Sequence, residues 1–358
     1  MSVPSAFQAA ILGNKGEKHT VGSRSLAPLE PGEVAIKVTA TAINPVDWKI
    51  REAGASAFVR TWPTVLGSDA AGEVVSLGPD VSDVAVGDRV FFQGKLGYPD
   101  SCTFQQYCKM PADLLSKTPA NISDDQAAGI ALVNIAVVVG FYDKTGRGLP
   151  APWDEGGEKA GAGKAIVILG GATSVGQYAI QWARIAGYER IVTTASPKHR
   201  EYLKELGAHE ILDRHTVKPV DFSEALNGLP LDFVFDGPSS KETQVQGIAA
   251  VRAAKACDSR VVTLTSVSDE AKSLAETADG LKVPIGTVLG IGWDPNMMYL
   301  SKPMLKHLGG EDGWLARGVI VPNPVTIIKG GLGGLEEALE RSQAGVSGSK
   351  LVIRPHGG

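Results

Sequence analysis

From Lys164 onward the chain repeats one rhythm, a short and wholly apolar run followed by a segment of helical periodicity. "KAIVILGG" is followed by "SVGQYAIQWARIAGY", "RIVTTAS" by "PKHREYLKELGA" and "HEILDR", and "LDFVFDG", "GIAAVRAAKA" and "SRVVTLTSV" continue the pattern. Such runs lack the in-out alternation of a half-solvated strand, so both of their faces must be covered. That condition is met by a doubly wound α/β architecture, a parallel sheet with helices on both sides.

The first third of the chain has a different period. "AAIL", "EVAIKVTATAIN", "AAGEVVSLG", "DRVFFQG" and "TFQQYCKM" alternate with period two and are separated by Gly- and Pro-containing turns. This predicts a β-rich, barrel-like domain. "NISDDQAAGIALVNIAVVVGFYDK" then becomes helical, with Ser123 as N-cap and Asp124 and Asp125 in the first turn, and is expected to link the domains. The Gly- and Pro-rich stretch 145–163 reads as a surface insertion or a lid, with no helix. The tail returns to β character in "GVIVPNPVTIIKGG", forms the helix "LEEALERSQAG" and ends on "SKLVIRP", a strand expected to complete the first domain. With 358 residues, 43% of them apolar, two cores are affordable. The expected domains are 1–130 with 318–358, and 131–317.

Charge narrows the partners. Thirty-five basic residues stand against 39 acidic ones, a net charge of −4, and no block of five like charges occurs. Neither a nucleic-acid stripe nor a polybasic membrane patch is expected, so the partner is a small molecule, and the chain reads as a monomer or homodimer. Cys102, Cys108 and Cys257 form no C-x-x-C pair and no disulfide framework, and the six histidines show no metal-ligand spacing. The N-terminal residues lack a signal-peptide pattern, and no window holds eighteen uninterrupted apolar residues. The reading is a soluble protein of the cytoplasm.

The loop "ILGGATSVGQ" lies where the first buried strand hands over to a helix. Gly170 and Gly171 are placed at the strand end, Ala172, Thr173 and Ser174 in the turn, and Val175 and Gly176 in the first helical turn. Glycines there let backbone amides approach a pyrophosphate, and the helix N-terminus adds partial positive charge, so the loop predicts a dinucleotide site. An NAD unit carries an acid about twenty residues downstream to bind the ribose 2′-hydroxyl. Here "TTASPKHREYL" places Ser196, Lys198, His199, Arg200 and Tyr202 in that region, with no acid before Glu201. The cofactor expected is therefore NADPH.

The stretches "AINPVDWKIR", "PTVLGSDAAGEVVSLGPDV", "VGDRV", "VILGGATSVGQYAIQWAR" and "VFDGPSS" together resemble the medium-chain dehydrogenase/reductase superfamily over almost the whole chain. The resemblance implies a GroES-like β-barrel catalytic domain plus a Rossmann doubly wound parallel-sheet domain. Zinc alcohol dehydrogenases of that superfamily carry Cys where this chain has Asn44, and Gly-His-Glu where it has Gly67, Ser68 and Asp69. Asn and Ser are poor zinc ligands and the lobe of four cysteines is absent, so no metal is expected. Hydride transfer then needs a conjugated acceptor as electron sink, which points to enoyl and quinone reductases. "INPVDWK", the Pro-rich insertion and "GGLEEALERSQAGVSGSKLVIRP" resemble fungal trans-acting enoyl reductases and ToxD-like proteins.

That resemblance implies site residues. Asn44 and Pro45 would border the cofactor amide, and Lys49 would face the substrate carbonyl unless it merely pairs with Asp47 on a turn. Asn134 stands where the enoyl reductase pattern has Thr, and would contact the nicotinamide carboxamide or a substrate carbonyl, or be a locally satisfied helix residue. Tyr98, in "GKLGYPDS", would protonate the α-carbon or pack. Leu289 and Gly290 would touch the nicotinamide half. Trp293, Met297, Met298 and Tyr299 form an apolar cluster, lining a substrate site or filling an interface. Arg214 would lie near the adenosine or its 2′-phosphate. The expected function is reduction of an activated C=C bond in an enone, enal or enoyl thioester, free or bound to a carrier protein. The alternatives are a quinone oxidoreductase and a non-catalytic, crystallin-like or stress-associated NADPH-binding protein.

Overall fold

A computed structural model describes residues 3–53, 58–276 and 281–357. The chain forms two compact units, Met1–Leu132 with Gly292–Gly358, and Val133–Ile291.

The first unit is built on one long strand, Glu33–Ala42, which pairs antiparallel with Ala70–Leu77 and with Tyr107–Pro111. Its far end pairs with the C-terminal strand Lys350–Ile353, in the register Val352 to Ala42 and Ile353 to Thr41. A second sheet of Thr20–Arg24, Phe7–Leu12 and Thr64–Val65 lies in the same unit. Ile43, Ile50, Leu66, Phe104, Leu335, Leu339 and Leu351 share one buried cluster, so the barrel, the segment after its long strand and the tail have a common core. "PVDWKIREA" is a helix, Pro45–Ala53, and not a turn. Pro45 suits a first helical position, where no N–H acceptor is needed. The Asp47 carboxylate reaches back to accept the Asn44 N–H at 2.8 Å, half of a capping box.

The compact units divide at Gly292, where the sequence pattern suggests 318. Nothing in local pattern marks this segment, but its polar contacts run to the barrel unit. Gly292 N–H donates to Gln93 Oε1 at 2.8 Å, Ser116 Oγ to the Leu305 carbonyl at 2.7 Å, and Asn121 Nδ2 to the Leu315 carbonyl at 3.1 Å. Trp293 and Met298 pack on the buried cluster that contains Val90 and Phe92. Ser123 caps its helix as expected, in a full capping box with Gln126. The stretch Asp124–Tyr142 is long and apolar enough to cross a membrane by length and composition, yet is 83% buried inside the protein.

Glu336 ties three segments of this unit together. It accepts from the His19 backbone and ring and from Arg51, the last at 2.7 Å. Burial alone would raise its pKa, but the hydrogen bonds and charge of His19 and the Arg51 guanidinium outweigh it and hold the carboxyl at about 2. A depressed folded-state pKa stabilises above the ordinary value of 4.5, and that stabilisation is lost as pH falls from there toward 2. Glu336→Gln should therefore flatten acid unfolding in this window while lowering stability at neutral pH. Chemical denaturation at several pH values checks this, and an unchanged acid limb contradicts it.

The second unit holds a parallel sheet in the order Glu210–Asp213, Arg190–Ala195, Ala165–Leu169, Leu231–Asp236, Val261–Thr263, Ile285–Thr287. Chain order reverses at Ala165–Leu169, the switch point beside which open α/β sheets bind ligands. The insertion 145–163 contains only one short 3-10 turn, Gly157–Lys159. Trp153 packs tilted against Tyr142 and edge-to-face against Trp182, with ring centroids 6.2 and 6.3 Å away, and Arg147 pairs with the buried Asp232 at 2.6 Å. The insertion is thus pinned to the core of its own unit.

Candidate active site

The loop after Ala165–Leu169 turns at Gly170–Thr173, and the helix Ser174–Ile185 follows. Thr173 is its N-cap, accepting from Gly176 N–H at 3.0 Å while donating to the Gly170 carbonyl at 2.7 Å. Gly170 N–H and Gly171 N–H donate to the Thr194 side chain and carbonyl, both at 2.9 Å, which staples the turn to the neighbouring strand. Gly170 has φ +69°, and a Cβ there would lie 2.4 Å from Pro238. A Cβ on Gly171 would meet Thr193 Oγ1 at 2.2 Å, and one on Gly176 would meet the Gly170 carbonyl oxygen at 2.3 Å. The amides of Ala172 and Val175 have no acceptor among the described residues. A turn that only glycine can close, at the head of a twelve-residue helix, fits a pyrophosphate.

The end of Arg190–Ala195 runs directly into Ser196 and a 3-10 turn, Pro197–His199. Lys198 and Arg214 are exposed and have no carboxylate partner among the described residues. Partial burial, then the charges of Lys198 and Arg214, hold the His199 pKa below its ordinary value, and the Arg214 N–H donates to the Ala195 carbonyl at 3.1 Å, which sets Arg214 beside the strand end that leads into Ser196. Arg200 is otherwise engaged, donating to the Ile211 carbonyl at 2.9 Å. The Tyr202 hydroxyl donates to Gln177 Oε1 at 3.0 Å, which leaves its ring and a lone pair for a ligand. Leu289 is 57% exposed, and Gly290 lies so close to Ala136 that a Cβ would sit 2.8 Å from its Cα.

Two expected site residues are engaged by other side chains of the protein. Asn134 is fully buried, and its carbonyl accepts from Trp182 Nε1 at 2.7 Å. It serves the core of the nucleotide unit, because an indole N–H inside a protein needs an acceptor. Asn44 is also buried, and its side chain is bound within the protein: Oδ1 accepts from Lys350 Nζ at 2.5 Å and Nδ2 donates to Ser68 Oγ at 3.3 Å. Pro45 beside it is exposed.

The network around Asn44 extends further. Ser68 Oγ donates to Asp47 Oδ1 at 3.1 Å, and Leu132 N–H donates to Asp69 Oδ1 at 3.2 Å, while Asp69 Oδ2 is buried with no hydrogen-bond partner among the described residues. Burial pushes both carboxyls up, and the Lys350 charge opposes it. Burial likewise pushes the Lys350 ammonium down, against the two acids. Sequence reasoning missed Lys350. Its signal was a lysine opening the apolar strand "KLVI", buried at every position.

Lys49 does not pair with Asp47, which faces Ser68 instead. Its ammonium lies 5.5 Å from the Trp48 ring centroid, and partial burial lowers its pKa. Among the described residues it has no ion-pair partner. Tyr98 accepts from Arg60 at 2.6 Å, with the Arg60 and Lys95 cations 4.0 and 4.6 Å from its ring centroid and Trp293 edge-on at 5.8 Å. Met297 and Met298 are half-buried and Tyr299 is exposed.

A barrel unit closed by the chain's own tail, with a switch-point sheet and a glycine-closed turn, defines a nicotinamide-dependent oxidoreductase. Residues 30–120 match the alcohol dehydrogenase GroES-like domain, and residues 174–252 match the zinc-binding dehydrogenase family. The chain is 31% identical to Dehydrogenase azaJ of Aspergillus niger, over 98% of this chain and 99% of that protein. It is 30% identical to Trans-enoyl reductase tndF of Aspergillus flavipes, over 97% and 98% respectively. The crystal structure of a putative zinc-dependent alcohol dehydrogenase protein from Rhizobium etli superposes with a TM-score of 0.78 at 25% identity, covering 99% of each chain. The chain belongs to the medium-chain dehydrogenase/reductase family and is an oxidoreductase.

The zinc implied by one family description does not fit the residues here. An ammonium already donates to Asn44 Oδ1, and the neighbouring donors are a hydroxyl and carboxylates without thiolate or imidazole. Among the described residues no cluster of three His, Cys, Asp or Glu could hold a metal ion.

Proposed function

We propose that the protein is an NADPH-dependent reductase of activated carbon-carbon double bonds in enones, enals or enoyl thioesters, with quinones as neighbouring acceptors. The observation that carries this reading is the donor set at Asn44, Ser68 and Asp69, where the cation is Lys350. A saturated ketone relies on an external Lewis acid, whereas a conjugated acceptor spreads incoming charge onto its own carbonyl oxygen. With its pyrophosphate at the Gly170–Gly176 turn, NADPH would supply a hydride to the β-carbon. Ser196, Lys198 and Arg214 would hold the 2′-phosphate, and exposed Leu289 would offer apolar surface to the nicotinamide half.

Lys49 then donates a hydrogen bond to the developing enolate oxygen. An ammonium without a carboxylate partner, made more acidic by partial burial, suits both that role and proton donation. Tyr98, whose oxygen accepts from Arg60, is the second proton-donor candidate. The full-length similarity to a protein named as a trans-enoyl reductase supports a carrier-bound acyl chain as substrate. Two buried free thiols, Cys102 and Cys108, suit a reducing cytoplasm.

NADPH absorbance followed against enones, enals, quinones and saturated ketones tests the reading. Oxidation with the conjugated acceptors is expected, and oxidation confined to saturated carbonyls would sink it. Lys49→Ala should lower kcat by about 100-fold, as for loss of one oxyanion donor. NADPH affinity should stay within about threefold, and unaltered turnover removes Lys49 from the mechanism.

A further inference from the structure

Lys350 is 4% exposed and enters the first unit on its last strand, where the Ile43 N–H donates to the Leu351 carbonyl at 2.9 Å. That pairing carries the ammonium to Asn44, the residue that opens the helix Pro45–Ala53. Space for the lysine stem is kept by Gly129, since a Cβ there would lie 2.8 Å from Lys350 Cγ. Asp47 and Asp69 are both fully buried, and Lys350 is the cation whose charge bears on each. Asp47 in turn holds the Asn44 N–H and receives the Ser68 hydroxyl. The ammonium thus meets an amide that Ser68 and Asp47 also hold, with two buried acids in the same network, among positions where the zinc enzymes of the family place metal ligands.

We propose that Lys350 is a positioning residue that replaces the metal as the fixed internal cation of this unit, and that through Asn44 it sets the start of the helix carrying Lys49. Removing a buried charge that two acids face leaves them uncompensated, which is far costlier than losing a surface ion pair. The helix start then loses the amide and carboxylate that define it, and Lys49, five residues after Asn44, loses its aim. The proposal rests on the reductase reading for its catalytic consequence, but not for the cation site itself.

The test compares the full chain with Lys350→Met and Lys350→Ala, in turnover and in thermal melting. Lys350→Met should lower kcat by about 100-fold, as for loss of a hydrogen bond to a charged group, while KM for NADPH stays within about threefold. In Lys350→Ala, propylammonium chloride should raise both the melting temperature and kcat, the latter at least about tenfold, by refilling the vacated charge site. Sodium chloride and tetramethylammonium chloride, which lack N–H donors, should do neither. Wild-type turnover in Lys350→Met, or no response of Lys350→Ala to propylammonium in either measurement, overturns the proposal. Should the single variants fail to fold, Asp69→Asn/Lys350→Met removes acid and ammonium together. Recovered folding with turnover still depressed supports the proposal, whereas wild-type turnover or continued failure to fold overturns it. If the wild-type chain reduces no acceptor, the reductase reading fails, and the propylammonium-dependent melting of Lys350→Ala still decides for or against the cation site.

Discussion

Gly176→Ala should weaken NADPH binding by about 100-fold or more, equivalent to roughly 2.7 kcal/mol. The added Cβ would lie 2.3 Å from the Gly170 carbonyl oxygen and 2.8 Å from the Gly171 Cα, and both are backbone atoms. Neither can retreat cheaply, because Gly170 and Gly171 are held by Thr194 and Gly170 sits against Pro238. The helix Ser174–Ile185 must therefore move away from the strand, at a cost of about 1–3 kcal/mol of overpacking. Its N-terminal amides move with it, and each amide displaced from a phosphate oxygen forfeits about 1.5–3 kcal/mol. Fluorescence titration with NADPH measures the loss. Gly333→Ala, whose Cβ would meet nothing within 4 Å, should bind as the wild type does. Gly176→Ala binding within threefold of wild type would mean that this turn does not cradle the pyrophosphate.

The double variant Lys198→Glu/Arg214→Glu should reverse cofactor preference, lowering NADPH affinity by about 100-fold or more and NADH affinity by less than about threefold. Both cations lack a carboxylate partner among the described residues, so both are available to a 2′-phosphate. In the variant two acids would face that phosphate. NADH, which lacks the group, would meet the same acids with a 2′-hydroxyl able to donate to them. Because the corner is exposed, the effect should shrink as salt rises. An unchanged ratio of NADPH to NADH dissociation constants at low salt would defeat the assignment of this corner.

Much of the nucleotide unit was legible because its signals are local. A buried strand, a glycine turn, an N-cap and a helix follow one another within Ala165–Ile185, and each constrains its neighbours in the chain. The missing acid after Arg190–Ala195 is equally a local fact. The barrel strands were legible from their period of two, but the helix Pro45–Ala53 was not. Nine residues with a leading proline carry too little periodicity to separate a short helix from a turn.

Asn134 shows the opposite case. An amide on an apolar helix reads the same whether it faces a ligand or an indole, and only the packing of Trp182, 48 residues away, makes it a core residue. The segment following Ile291 carries no boundary signal either, and its membership of the barrel unit rests on Gln93, Ser116 and Asn121.

By itself, then, the sequence determined the class of both units, the turn that fits a dinucleotide and the basic character of the corner beside it, since each is written in neighbouring residues. The tertiary structure alone decided which group meets the Asn44 side chain. Lys350 reaches Asn44 across 306 positions of sequence, through the pairing of the first long strand with the last. No periodicity encodes such a contact. It arises because the closing strand, paired with the first long one, carries the Lys350 ammonium to the Asn44 amide oxygen.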